Sequence, residues 1–356
     1  MNIKGLQRSV IKTVFPLLAA SGIHRITRPW YAGMGSILMF HRVCPDENRA
    51  RMGGASGLEV TPEYLEQSIQ FLLANDYDLV SLDRVADILN EGKAKRKFVA
   101  FTFDDGYADN FNFAYPVLKK YKVPFTIYVT TSFPERSAIL WWYLLEDLVL
   151  NHQELTFEWE GQTIHYACSN RSEKESSYKS IHKFIAQEEG KVPLNRIKAV
   201  FKNYVDDLHL KTDELALSWE QIRELSADPL VTIGAHTVNH YALSKLPDAE
   251  VEWEITESKK RLENKIEKNV EHFSYPFGSR AEAGDREFEM AKLCGFKTVT
   301  TTRIGNIFCE HKNSMERLPR IPVNEKRDGK DTGTLMLWLN GMLPGLLNKF
   351  NRVVTT

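Results

Sequence analysis

The chain has 356 residues, enough for one large domain or two ordinary ones. Its hydrophobic fraction of 43% against 26% charged is that of a soluble globular protein with a sizeable core. A formal net charge of -1 supplies no global field for a polyanion, so nucleic acid is not an expected partner.

At the N-terminus, Lys4, Arg8 and Lys12 precede a short apolar stretch, as in a leader peptide. However, Ile3, Leu6, Val10, Val14 and Leu17 recur at helical spacing with basic residues between them, and Pro16 interrupts the apolar stretch. The pattern predicts a basic amphipathic segment over residues 1–34, not a cleaved leader. No apolar run approaches the roughly 20 residues of a spanning helix. Cys44, Cys168, Cys294 and Cys309 form no C-x-x-C pair and are too sparse for a disulfide framework, which predicts free thiols in a reducing compartment.

"GSILMFHRV" (35–43) predicts a short buried strand ending at His41. "TPEYLEQSIQFLLANDY" opens with a Thr N-cap and Pro62 at the first helical position, then continues at helical period. "LVSLDRVADILNEG" predicts a short strand and a helix with a Gly stop, and "KFVAFTFDDG" another strand. "FNFAYPVLKKYKV" reads as a helix and "PFTIYVTT" as a strand. After residue 220 the alternation resumes: "WEQIREL" helix, "LVTIGAH" strand, "DAEVEWEITESKKRLENKI" helix, "EHFSYPFG" strand, "REFEMAKLCG" helix, "KTVTTTR" strand. Such alternation predicts an α/β fold, a mostly parallel sheet with helices outside it. Residues 134–217 break the rhythm. A hairpin about Glu160-Gly161 and two polar-faced helices predict an insertion that caps one end of the barrel or sheet, dividing the chain into 35–133, 134–217 and 218–326, with a terminal segment over 327–356.

Three predicted strand ends carry polar residues: "FDDG" (103–106), "GAHTVNH" (234–240) and "SYPFGS" (274–279). In parallel α/β folds chemistry sits at those carboxyl ends. His236 and His240 are four apart, and a helical turn after Ala235 would place both imidazoles on one face, a spacing that suits one metal ion. Two such histidines also arise by chance, and "DDG" is equally a turn after a strand. Together they suggest a two-His, one-carboxylate site in which one aspartate binds the metal and its neighbour takes a proton from water.

"TFDDG", "HTVNH" and "YPFG", in this order on alternating strands and helices, resemble the polysaccharide deacetylases, the nodulation-protein-B-like domain of carbohydrate esterase family 4, over about residues 35–325. The resemblance implies a distorted (β/α) barrel that removes N-acetyl groups from amino sugars of glycans. It implies Asp105, His236 and His240 as metal ligands, Asp104 as general base, and the Phe277 backbone N–H as an oxyanion donor. Ligand softness favours Zn2+ as the divalent metal, with Co2+ or Ni2+ as substitutes. Two departures stand out. Ser274 occupies the place of an arginine that orients the base, so Arg320 of "LPRIPV" is the candidate replacement. A C-terminal Leu-x-His strand is missing, and the strand "ILMFH" at the front suggests a circularly permuted member with His41 as general acid. Tyr107, Trp141, Trp142, Tyr275 and Pro276 are candidate sugar contacts, although core packing is the ordinary role of a tryptophan.

The segment "TLMLWLNGMLPGLLNKFNRVV" is too interrupted to span a bilayer. It packs either on the domain or on a membrane surface, with Lys349, Arg352 and the N-terminal basic residues facing anionic lipid. The expectation is a cytoplasmic hydrolase acting on an N-acetylated polysaccharide or lipid-linked precursor, peripheral at the inner face of the membrane. An O-acetyl esterase, or a glycan-binding or scaffold protein on the same fold, are the rivals. No oligomeric state follows.

Overall fold

The structure is a computed structural model and describes residues 15, 17–45, 51–52, 57–186, 191–328 and 332–355. In chain order the strands are β1 (Gly35–Phe40), β2 (Arg42–Val43), β3 (Glu59–Val60), β4 (Asp78–Leu79), β5 (Phe98–Phe103) and β6 (Phe125–Val129). They continue as β7 (Glu154–Trp159), β8 (Gln162–Ala167), β9 (Val231–Ala235), β10 (His272–Ser274), β11 (Thr298–Ile304) and β12 (Leu318–Pro322).

Seven parallel strands close into a barrel in the order β1, β12, β11, β10, β9, β6, β5, because β1 pairs with both β12 and β5. The sequence reason is burial on two faces. Every residue of β1, β5 and β6 is buried, as in a parallel strand covered by helices outside and side chains inside. The long β1–β5 register, Gly35↔Phe98 to Phe40↔Phe103, brings both strands to a common carboxyl end. β4 pairs only with the start of β5, outside the ring. β12 was not among the expected strands: Pro319 and Pro322 interrupt its pattern, yet it accepts them while pairing with β1 and β11. The outer helices start where the sequence places caps. Thr61 accepts from Tyr64 N at 3.1 Å, and Ser218 forms a capping box with Gln221.

The segment between β6 and β9 builds its own core from Leu145, Val149, Phe157, Ile181 and Phe201. Its hairpin β7–β8 turns on Glu160 and Gly161, both at positive φ (51° and 76°), as a two-residue loop that follows strand twist requires. It is fastened at the exit of β5, where Leu217 N–H donates to Gly106 O at 3.0 Å and Tyr107 bridges to Ala216.

The terminal segments lie together. Helix His24–Tyr31 packs on helix Met342–Leu347, and Gly341 sits at φ +75° where an added Cβ would meet Tyr31 O at 2.0 Å. Trp338, from helix Gly333–Leu339, is buried in the main core. Residues 1–14 of the expected amphipathic helix fall outside the described residues. Among those described, no helix is long and apolar enough to cross a membrane.

Candidate active site

The three polar segments do converge at the carboxyl ends of β5, β9 and β10. Asp104 N–H continues the ladder to Phe40 O at 3.0 Å. Asp105 and Gly106 then take left-handed conformations, φ +78° and +83°. The sharp turn sends the two adjacent carboxylates to different partners, which is how like charges share a buried strand end.

Asp104 is held by Arg320 of β12. The guanidinium donates from Nη1 to Oδ1 at 2.6 Å and from Nη2 to Oδ2 at 2.7 Å. Its remaining donors meet Thr301 O at 2.9 Å, Thr102 Oγ1 at 3.1 Å and Ser274 Oγ at 3.0 Å. Arg320 is 0% exposed and Asp104 2%. Burial by itself would raise the Asp104 pKa; the Arg320 charge and hydrogen bonds overcome it and hold the carboxyl below its ordinary value. Arg320 thus holds Asp104 from a different strand, and Ser274, at the position where the arginine was sought, is one of its acceptors.

Asp105 faces the histidines. Its Oδ1 is 3.4 Å from His236 Nε2 and 3.2 Å from His240 Nε2. His236 Nδ1 lies 2.6 Å from Ser274 O, which places the proton on Nδ1 and leaves Nε2 as a free lone pair. Burial opposes ionisation of Asp105, while protonated imidazoles at His240 and His236 draw its pKa well below the ordinary value, a role that a cation would take over when the Nε2 lone pairs are its ligands. Asp105 Oδ1 is buried and accepts no hydrogen bond among the described residues. One carboxylate and two imidazoles, with donor atoms within 4.8 Å of one another and an orphaned buried oxygen among them, fit a divalent cation.

The histidines converge differently from the expected helical turn. Residues after Ala235 form a loop, with Thr237 at φ +64° and His240 at +58°. Glu254, on helix Asp248–Ile266, replaces the helical bonds: it accepts from Val238 N and Asn239 N at 2.9 Å each and from Asn239 Nδ2 at 2.6 Å. His240 N–H donates to Thr237 Oγ1 at 3.0 Å.

His41 follows β1, with Nε2 3.9 Å from Asp104 Oδ2 and the side chain 17% exposed. Burial lowers its pKa, against the raising effect of Asp105 and Asp104. Its carbonyl accepts from Asn110 Nδ2 at 2.9 Å, and the next residue, Arg42, bonds Asp109 at 2.6 Å and lies over the Tyr107 and Tyr143 rings. Burial pushes Asp109 up to about 6 despite Arg42. Across the site Phe277 stands at φ +60°, its ring edge-on to His240 at 4.9 Å. Its backbone N–H meets no protein acceptor among the described residues.

A polysaccharide deacetylase family model matches residues 91–299, more than half of the chain. The chain belongs to this family. This deacetylase is 23% identical over 298 residues to YxkH of Bacillus subtilis (strain 168), a protein with a provisional polysaccharide deacetylase name, covering 83% of this chain and 74% of that one. Its fold is similar to that of Streptococcus pyogenes deacetylase PplD solved in complex with acetate (TM-score 0.55, 20% identity, 86% of this chain and 97% of that one). It is similar too to IcaB from Ammonifex degensii (TM-score 0.52, 19% identity, 86% and 96%).

Four of the five candidate sugar contacts, Tyr107, Trp141, Tyr275 and Pro276, are buried and require correction. Tyr107 is buried against Phe133 and Tyr143 because the turn at Asp105 and Gly106 directs it under the insertion. Tyr275 is fully buried, with its hydroxyl donating to Glu316 O at 2.9 Å, and Pro276 is buried beside it. Trp141 and Trp142 begin helix Trp141–Asn151 and do not lie in a loop. Trp141 packs on His182 in the core of the insertion, and Trp142 is half-buried against Tyr143. The sequence reading missed Glu254, which bonds back to the loop from the following helix, and the Arg42–Asp109 pair, whose members lie 67 residues apart; neither has a local motif.

Proposed function

We propose that this deacetylase hydrolyses the N-acetyl amide of an amino sugar in a polysaccharide or lipid-linked glycan precursor, with a divalent cation, zinc by ligand softness, held by Asp105, His236 and His240. The observation that carries the reading is the division of labour between adjacent aspartates. Asp104 is locked to Arg320, while Asp105 lies among imidazoles. A cation at the second group supplies Lewis acidity toward the acetamide carbonyl and lowers the pKa of water.

Asp104, kept ionised by Arg320, takes the proton of the attacking water. The free Phe277 N–H is available to the oxyanion that develops on the acetyl oxygen. His41, on the β1 side of Asp104, delivers a proton to the departing nitrogen. Its lowered pKa makes the imidazolium the stronger acid. Water and the amide become acetate and a free amine. The position of β1 between β12 and β5 supports the permuted reading, in which a front strand supplies the acid.

The test is acetate release from N-acetylglucosamine oligomers by protein stripped of metal and refilled with zinc, beside O-acetylated controls. Zinc-dependent release from the amide, lost in Asp104→Asn with the ion retained, is the expected result. Hydrolysis confined to the ester overturns the amide assignment, and failure of the protein to retain any divalent ion overturns the metal assignment.

A further inference from the structure

Helix His24–Tyr31 is inverted relative to an ordinary surface helix. Its inner face carries His24, Thr27 and Tyr31. His24 Nδ1 meets Asn340 Nδ2 at 2.7 Å, Thr27 Oγ1 reaches Asn340 O at 3.4 Å, and Tyr31 covers Gly341. Its outer face, extended by the preceding residue, presents Ile23, Ile26 and Trp30 to solvent, at 43%, 66% and 56% exposure. Side chains with polar atoms point inward and large apolar ones outward, the reverse of the pattern that stabilises a helix on a soluble core. Phe350 (60% exposed) lies beside the same helix, with its ring 6.0 Å from that of Tyr31. Leu346 (49%), from the helix packed on His24–Tyr31, and Leu17 (65%) are exposed as well. Single exposed apolar residues need no explanation, but a group gathered on two packed terminal segments does.

The charge pattern names the occupant. Residues 1–34 and 332–356 contain no Asp or Glu, and they contain Lys4, Arg8, Lys12, Arg25, Arg28, Lys349 and Arg352. The chain as a whole is nearly neutral at -1, so this segregation belongs to the termini alone. Arg25, Arg28, Lys349 and Arg352 are exposed alongside the apolar group. We propose that helix His24–Tyr31 and the described residues of the C-terminal segment form one docking face for an anionic lipid surface, with Ile26, Trp30 and Phe350 entering the headgroup boundary and Arg25, Arg28, Lys349 and Arg352 meeting lipid phosphates. A second copy of the chain is disfavoured on this face, because two identical cationic surfaces repel. Tryptophan suits the headgroup level, where one end of the ring is apolar and the other wet.

The experiment is co-sedimentation of the full chain with phosphatidylcholine vesicles, with and without phosphatidylglycerol, at low and high salt. The wild type is expected to sediment with the anionic vesicles and to be released by salt. Ile26→Ser/Trp30→Ser/Phe350→Ser is expected to lower the partition coefficient about tenfold or more, as is Arg25→Glu/Arg28→Glu. Both sets are exposed and outside the catalytic machinery, so melting temperature and acetate release from a soluble oligomer should be unchanged, and they report folding independently of vesicles. Absence of sedimentation with anionic vesicles, or equal sedimentation of the apolar variant, overturns the proposal. So does a dimer in light scattering that the apolar variant abolishes while vesicle binding is absent.

Discussion

Truncating Arg320 to methionine is the most informative perturbation of the site. The side chain is fully buried and makes two bonds to Asp104 and three more, to Thr301 O, Thr102 Oγ1 and Ser274 Oγ. Methionine conserves much of the volume but removes every donor and strands a carboxylate that is 2% exposed. Removing one partner of such a buried pair costs about 3–5 kcal/mol. For a domain in this size range that corresponds to a fall in Tm on the order of 10 °C. The charge effect is separate. With Arg320 present, the Asp104 pKa is depressed, so its stabilising contribution is complete above the unfolded carboxyl value and is lost as pH falls through the folded one. Without Arg320 only burial remains as the dominant influence, the pKa rises, and Asp104, the proposed base, is protonated at higher pH. Turnover is expected to fall by about 100-fold or more, with the acid limb of the kcat/KM profile moved upward. Arg320→Lys keeps the charge but cannot bridge both carboxylate oxygens while also reaching Thr301 and Ser274, so it should fold and show an intermediate rate. Ser274→Arg with Arg320→Ser returns the cation to the position expected from the family pattern and should restore part of the rate. Differential scanning calorimetry and a pH–rate profile read both effects. An Arg320→Met protein with unchanged Tm and a kcat/KM within about twofold of wild type would refute the reasoning.

Glu254→Ala removes the acceptor that replaces helical bonds in the His236–His240 loop, and should lower metal affinity about tenfold or more in chelator competition, with the fold retained. His41→Gln should slow amide hydrolysis by about 100-fold or more while sparing an activated aryl acetate, whose leaving group needs no proton; equal losses on both substrates would remove His41 as the acid. Burial lowers the pKa of both His24 and His311, and each holds a terminal segment: His24 at Asn340, and His311, accepting from Phe308 N at 3.0 Å, with its Nε2 3.3 Å from Val354 O. For a histidine depressed in the folded state, the unfolded chain takes the proton first. The contribution is therefore complete above the unfolded value of about 6.5 and declines as pH falls below it. Tm should drop on acidification through this window, and His311→Gln should flatten that slope.

The parts of the site legible in the sequence are those whose partners are close along the chain. Apolar runs ending in "DDG" and "GAH" located two carboxyl ends of barrel strands, and four-residue spacing paired His236 with His240. The spacing was right, but the expected conformation was not. Left-handed residues at Thr237 and His240, held by a glutamate on the following helix, bring the imidazoles together in a loop. Nothing in the local pattern distinguishes these routes, because both place two side chains about one turn apart. The aromatic candidates failed for a related reason: proximity in sequence to a strand end says nothing about which way the chain faces after a sharp turn. Tyr107, two residues past Asp105, points beneath the insertion instead of into the site.

Arg320 was recognisable only as a question, because its partner lies 216 residues away across the barrel and its own strand is broken by prolines. What the sequence did carry was the electrostatic demand. Two neighbouring carboxylates at a buried strand end cannot both remain ionised without cations or protons to compensate them. Once Ser274 was seen in place of the expected arginine, that demand required a charge from elsewhere, and the barrel supplies it from the strand adjoining β1. The same demand explains why Asp105 is left with an orphaned oxygen. That oxygen faces Nε2 of His236 and His240 at 3.4 and 3.2 Å, and a cation held among the three donors would supply the compensation that neutral imidazoles do not.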